Sequence, residues 1–160
     1  MSSDAEVLAD VTRLFGRVPR PAKFTDHPGC SECEEHDETL QAHTLETLSI
    51  EEVGSQSWNP IVMCTPNAFR YLLPALARIC LGPSDHPLWG WYGEPFIQSD
   101  LRRNGPRNDR WLACTPEERS CLARFIEHVI DTRGELIAEY DMQHEVLDAF
   151  SIWSDQGDPT

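Results

Sequence analysis

The chain has 160 residues, of which 40% are hydrophobic and 25% are charged, and 13 basic against 27 acidic side chains give a formal net charge of −14. A chain of this length buries roughly 68–70% of its unfolded surface, so it needs neither disulfides nor a metal to fold, and its acidity argues against direct binding of nucleic-acid phosphates. No apolar run reaches the ~18 residues of a membrane span, and residues 1–4 lack the features of a secretion signal, so we expect one cytoplasmic domain without membrane contact.

The N-terminal half contains three predicted helices and one predicted strand. Apolar residues at helical spacing predict an amphipathic helix over residues 3–15, which ends before Gly16. A mostly acidic helix is predicted over 28–42, and a short helix over 49–53. The apolar run 61–63 is the one short segment that predicts a strand.

Two long helices of the C-terminal half begin with the same signal, a threonine at the N-cap followed by a proline. These helices, 65–81 and 115–132, carry the apolar stripes that we predict to form the core, together with a last helix over 135–153. The sequence therefore predicts an all-α fold with room for one short strand pair. We expect a single domain of five or six helices over residues 1–154 and a frayed tail over 155–160.

The acidic residues are concentrated in two stretches. Residues 24–69 contain nine acids and no lysine or arginine, and residues 134–160 contain seven acids without a basic residue. Such segregated charge favours a non-enzymatic interaction module, of the inhibitor, immunity or adaptor type, that engages a basic protein partner. Solubility alone is the plainer interpretation of the same charge. The predicted partner-binding residues are Glu32, Glu34, Glu35, Asp37, Glu38, Trp89, Trp91 and Tyr92.

The connection 83–110 between the two long helices is rich in tryptophan and arginine. Its aromatic residues are typical of a binding hot spot, but they are equally typical of a long loop that is anchored on the core. The arginines of this segment are predicted either to form internal ion pairs or to hold an anionic ligand. They are Arg102, Arg103, Arg107 and Arg110.

Six cysteines are expected to be reduced thiols, and two of them form a C-x2-C motif. Histidines flank this motif, so that His27, Cys30, Cys33 and His36 recur every three residues and offer the nitrogen and sulfur ligands that zinc prefers. In one continuous helix the two histidines would lie roughly 13 Å apart along the axis, so at most three of these residues would bind one ion.

Three interpretations of this motif stay open: unliganded packing thiols, a zinc site, or a redox pair whose first thiol is acidified by a helix N-terminus. Zinc is therefore the one cofactor that the sequence indicates. The alternative to an interaction module is a zinc-binding or thiol-dependent small enzyme centred on Cys30 and Cys33. The absence of a recognised catalytic signature favours the non-enzymatic interpretation.

Three strings stand out in the sequence: HPGCSECEEHDE at 27–38, TPNAFRYLLPA at 65–75 and TPEER at 115–119. Over about residues 26–130 they resemble a bacterial family of small acidic proteins of unknown function. The resemblance implies a bacterial, cytosolic setting. It implies no activity, ligand or catalytic residue.

Overall fold

The computed structural model describes residues 1–157, and every regular element within them is helical. This confirms the predicted all-α class. A 3₁₀ turn covers Pro60–Met63 and a π-helical turn covers Phe96–Leu101. The α-helices are α1 Asp4–Phe15, α2 Ser31–Gln41, α3 Ile50–Val53, α4 Pro66–Leu81, α5 Gly93–Pro95, α6 Asp109–Ala113, α7 Pro116–Thr132, α8 Gly134–Glu139 and α9 Gln143–Ser154.

The two long helices α4 and α7 begin where the threonine–proline signals predict. Thr65 Oγ1 accepts the backbone N–H of Ala68 at 3.2 Å, and Thr115 Oγ1 accepts that of Glu118 at 3.1 Å. A proline occupies the first turn of each helix. An N–H group at that position would have no acceptor within the helix, so its absence costs no hydrogen bond. The local chemistry of the cap therefore sets both starts.

The core lies between α4, α7 and α1, since α1 packs against both long helices. Helix α9 packs against α7 and against the π turn, while α6 packs against α4 and α2 packs against the 3₁₀ turn. The segments between the long helices thus supply much of the interior. The largest side chains that are fully buried include Phe15, Phe24, Phe69, Trp91, Tyr92, Phe96, Trp111, Phe125 and Trp153.

The strand predicted over residues 61–63 is wrong, because this run forms the 3₁₀ turn. Asn59 caps the turn by accepting the backbone N–H of Ile61 at 3.0 Å, and a proline follows the cap. Within residues 1–157 the only β-type pairing is an isolated bridge between Thr25 and Cys64. That bridge ties the segment before α2 to the start of α4.

The single helix predicted over 135–153 is two helices, α8 and α9. Asp141, between them, has a φ of 53°, in the left-handed region. The N–H of Asp141 donates to Ala138 at 3.2 Å and that of Met142 donates to Ile137 at 2.9 Å, which are the bonds of a Schellman helix end. Aspartate tolerates this conformation better than most residues, but the apolar periodicity gives no sign of it.

The tail predicted over 155–160 lies partly outside the described residues, which end at 157. Asp155 accepts a hydrogen bond from Arg107 Nε at 3.1 Å and from the N–H of Gly157 at 2.9 Å. The described part of the tail is therefore tied to the connection before α6. No helix within residues 1–157 combines the length and the apolar composition that crossing a bilayer requires.

Candidate active site

The turn before α2 places the first cysteine of the C-x2-C motif at the mouth of the helix. The N–H of Cys30 donates to the carbonyl of His27 at 3.1 Å, and Gly29 inside this turn has a φ of 81°. A residue with a side chain is strained at that angle, so the turn requires glycine. The predicted start near Pro28 is therefore wrong, and the helix begins at Ser31, three residues later.

Cys30 is the N-cap of α2, and its thiol caps the helix. Its Sγ accepts the backbone N–H of Cys33 at 3.3 Å. Cys30 is half-buried, whereas Cys33 is 2% exposed and faces the interior. The carbonyl of Cys33 accepts a hydrogen bond from Thr25 Oγ1 at 2.8 Å, so the pair is fixed to the segment that the β-bridge holds. One thiol is thus within reach of a reactant and the other lies behind it.

The two thiols differ in acidity. A hydrogen bond from the Cys33 thiol and the N–H of Cys33 lower the pKa of Cys30, against the opposing charge of Glu32. The hydrogen bond to Cys30, together with burial, raises the pKa of Cys33 to about 11. Because the thiolate is the nucleophile, the lowered pKa favours Cys30 over Cys33 as the nucleophile of the pair.

The other four cysteines are buried, as the packing interpretation predicts. Burial raises the pKa of Cys64, Cys80 and Cys114 to about 12 and that of Cys121 to about 11. A buried, protonated thiol behaves as a small hydrophobic side chain. Among residues 1–157, which include all six cysteines, Cys30 alone combines exposure with a lowered pKa.

The four predicted zinc ligands do not come together. Among residues 1–157 no three histidine, cysteine or acidic side chains converge on a point that would hold a metal ion. His36 is buried, with Nε2 3.4 Å from a carboxylate oxygen of Glu32 and its ring 4.5 Å from that of Trp58. His36 lies six positions after Cys30, the N-cap of α2, and at about 100° per residue the two side chains do not share a face of the helix. His27 is exposed in the preceding turn.

The predicted acidic residues of α2 fall into two groups. Asp37 accepts a backbone N–H at 2.6 Å, and Glu32 contacts a histidine ring at 3.4 Å. The other three carboxylates, those of Glu34, Glu35 and Glu38, are exposed and form no ion pair within the described part of the chain. Helix α2 therefore presents three unpaired negative charges beside the cysteine pair.

The aromatic residues of the connection 83–110 are mainly anchors, which corrects the prediction that Trp91 and Tyr92 bind a partner. Both are 1% exposed. The indole N–H of Trp91 donates to the carbonyl of Cys80 at 3.1 Å. Trp89 is half-buried, with its ring stacked on that of a histidine at 6.2 Å. Since a buried ring offers no surface, only Trp89 of the three is available for contact.

A buried polar group that the sequence analysis missed lies on the π turn. Asp100 is 1% exposed, and its Oδ1 accepts a hydrogen bond from Asn59 Nδ2 at 3.2 Å. Its Oδ2 has no partner among the described residues, and burial raises its pKa to about 7. The spacing of Phe96, Asp100 and Leu101 along one helical face was the available signal, because it places an acid at an apolar position.

No protein-family model, curated protein or solved structure matches the chain. The resemblance of residues 26–130 to a bacterial family stays a prediction. The function is therefore argued from the geometry of the cysteine pair and its surroundings.

Proposed function

We propose that the protein carries out thiol–disulfide exchange through Cys30 and Cys33. The observation that carries the proposal is the position of Cys30, whose sulfur accepts the N–H of Cys33 at 3.3 Å at the start of α2 while Cys33 lies buried behind it. This arrangement supplies a reachable nucleophile and an internal thiol that resolves its adduct. The lowered pKa of Cys30 supports the same assignment of roles.

The reaction balances with a disulfide RSSR as the oxidant. The Cys30 thiolate, formed by loss of its proton to water, attacks one sulfur of RSSR, so that a mixed disulfide forms and RS⁻ leaves. Cys33 then attacks the Cys30 sulfur, its proton passes to the second leaving RS⁻, and the first RS⁻ takes a proton from water. The net change is oxidation of the protein dithiol to one disulfide and reduction of RSSR to two RSH.

The turn before α2 brings the two cysteines close together. The sulfur of Cys30 accepts the N–H of Cys33 at 3.3 Å, so it already lies against the residue whose thiol it would join. Residues three apart on a helix have Cβ atoms about 5–6 Å apart and a disulfide needs about 3.5–4.5 Å, so closure requires a local shift of the Cys30 turn as well as rotation of the side chains. A zinc site, by contrast, lacks a third ligand among the described residues.

The test uses the reduced protein and bis(2-hydroxyethyl) disulfide, a neutral probe, with intact-mass and peptide-mass readouts. We expect a Cys30–Cys33 disulfide in the native protein. Cys30→Ser should lower the oxidation rate at least about tenfold, because the remaining thiols are buried, and Cys33→Ser should stop at a mixed disulfide on Cys30.

The matched control is Cys121→Ala, which removes a buried thiol far from the motif in sequence and should leave the rate unchanged. The proposal fails if the native protein forms no Cys30–Cys33 disulfide. It also fails if Cys33→Ser accumulates no adduct on Cys30 while its circular dichroism spectrum is that of the native protein.

We propose as a second function that the exposed face of α2 binds a basic protein surface. The observation in its favour is that Glu34, Glu35 and Glu38 lack a cationic partner within the described residues. Such a surface favours association with a positively charged partner, and salt strongly screens this electrostatic attraction. This is the interaction function that the charge pattern of the sequence predicts.

Reversal of these three charges to lysine should remove a basic partner that a low-salt pull-down retains, because attraction becomes repulsion. Cys30→Ser should retain the partner. The matched control reverses Asp131, Glu135 and Glu139, three exposed acids on α7 and α8, and should have little effect. Equal loss in both triple variants would show that net charge alone is responsible, and that result would overturn the second proposal.

A further inference from the structure

A cavity of about 250 Å³ opens beside the turn that carries Cys30. His27 of that turn lines it, together with Arg103 and with Arg110 of α6. The N–H of Cys30 donates to the carbonyl of His27 at 3.1 Å, so the wall of the cavity and the reactive thiol belong to one turn. The volume is below the ~300 Å³ at which pockets for drug-sized ligands begin, which suits a group the size of one amino acid.

The two arginines of this cavity are not neutralised by ion pairs. Arg102 and Arg107 of the same segment form ion pairs with carboxylates at 2.7 and 3.1 Å, which is one of the two alternatives predicted for the four arginines. Arg110 is 4% exposed and donates to two backbone carbonyls instead. Arg103 is half-buried and has neither a hydrogen bond nor an ion pair within the described part of the chain.

The side chains of Arg103 and Arg110 line the same cavity. Burial lowers the pKa of Arg110, the carboxyl group of Asp100 opposes that effect, and the charge of Arg103 adds to it. The carboxyl group that faces them, Asp100, is itself buried, with a pKa raised to about 7. A buried charge is costly without a counter-charge. Two cations line one cavity and only one buried carboxyl group of the described residues faces them, so the cavity offers charge for a second carboxylate.

Carboxylates also line the cavity. Asp26 and Asp109 are exposed, and neither side chain has an ion pair among the described residues. The cavity thus combines a buried positive wall with an exposed negative rim. An α-amino-carboxylate group has the matching pair of charges, since its carboxylate meets the arginines and its ammonium group meets the aspartates.

We infer that this cavity binds the α-amino-carboxylate end of a small disulfide and holds its S–S bond for attack by Cys30. The inference rests on the proposed thiol–disulfide exchange and names the substrate class of that same site. Both cystine and glutathione disulfide carry this group, and they differ in length beyond it. The roles divide accordingly, because Arg103 and Arg110 bind substrate while Cys30 and Cys33 react with it.

The test measures second-order rate constants for formation of the Cys30–Cys33 disulfide with a set of disulfides. Cystine and glutathione disulfide are the zwitterionic probes, cystamine is cationic, dithiodiglycolate is anionic and bis(2-hydroxyethyl) disulfide is neutral. Each constant is divided by that for free N-acetylcysteine, which corrects for intrinsic reactivity. We expect the corrected rate constant of at least one zwitterionic probe to exceed that of the neutral probe by about tenfold, which is the effect of one charge-assisted contact. The faster of cystine and glutathione disulfide then identifies the preferred substrate.

Arg103→Gln should bring the ratio of zwitterionic to neutral rates close to one. The matched control is Arg102→Gln, which makes the same charge change one residue away, at a side chain that is ion-paired with Asp148 and does not line the cavity, and it should keep the ratio. Equal loss in both variants would overturn the inference, as would faster reaction of the cationic or anionic probe.

The rate measurements distinguish a wrong substrate class from a wrong reaction. If every disulfide oxidises Cys30 and Cys33 at the same corrected rate, the substrate class is wrong and the exchange reaction stands. If no probe forms the Cys30–Cys33 disulfide, the proposed function itself is wrong.

Discussion

Replacement of Trp91 with alanine is expected to lower the free energy of unfolding by about 3–5 kcal/mol, the usual cost of deleting a large buried aromatic ring. The ring is 1% exposed and packs edge-on against Tyr140 at 5.9 Å between centroids. Its indole N–H donates to the carbonyl of Cys80 at 3.1 Å, at the end of α4, where helical carbonyls lack backbone donors. Urea unfolding followed by circular dichroism measures the change.

The conservative variant separates the hydrogen bond from the packing. Trp91→Phe keeps a ring but removes the donor from the Cys80 carbonyl, so it should cost about 1–3 kcal/mol. Trp111→Phe is the control, because the Trp111 indole N–H is buried without a partner in the described residues. If Trp111→Phe costs as much as Trp91→Phe, then the hydrogen bond to α4 contributes nothing to the difference.

Asp100→Asn is expected to change the pH dependence of stability. Burial raises the pKa of Asp100 from 3.8 to about 7, so between these values the folded chain holds a proton that the unfolded chain has lost. Stability therefore falls as pH rises through this window, by up to about 4 kcal/mol if the full shift is realised. The asparagine side chain of the variant would still accept the hydrogen bond of Asn59 and has no charge to desolvate. The variant should be more stable than the native protein at pH 8.

The measurement is the difference in unfolding free energy between variant and native protein at several pH values from 4 to 8. Asp4→Asn is a control whose difference from the native protein should stay constant over this range. A hydrogen bond from Arg133 lowers the pKa of Asp4 to about 2, so its contribution is present above pH 4 and is lost as pH falls towards 2. An Asp100→Asn difference that stays constant across the range would show that this carboxyl is ionised throughout.

Local chemistry made the long helices predictable. A threonine cap followed by proline marks where α4 and α7 begin, and the capping box of Ser3 and Glu6 marks the start of α1. Left-handed residues set the boundaries that were predicted wrongly. Gly29 shifts the start of α2 to Ser31, and Asp141 divides the predicted last helix into α8 and α9. Neither boundary is visible in the apolar periodicity, because each depends on the backbone conformation of a single residue.

The candidate site was predictable as a motif and not as a geometry. The spacing of Cys30 and Cys33 is plain in the sequence, but it leaves three interpretations open: packing thiols, a zinc site or a redox pair. The choice among them depends on which thiol is exposed and on whether His36 faces the pair, and both depend on packing against Trp58 and the 3₁₀ turn. The division of the arginines into paired and unpaired ones likewise depends on where α9 places its carboxylates.

The hydrogen bonds between Arg133 and Asp4 have a consequence for synthesis on the ribosome. Both carboxylate oxygens of Asp4 accept hydrogen bonds from Arg133 at 2.8 Å, across a sequence separation of 129 residues, and His128 adds a contact at 2.7 Å. At about 5–20 residues per second, the ribosome adds Arg133 roughly 6–26 s after it adds Asp4. Helix α4 is translated early in that interval and can cover part of the apolar side of α1, but the part that packs on α7 stays exposed until α7 emerges.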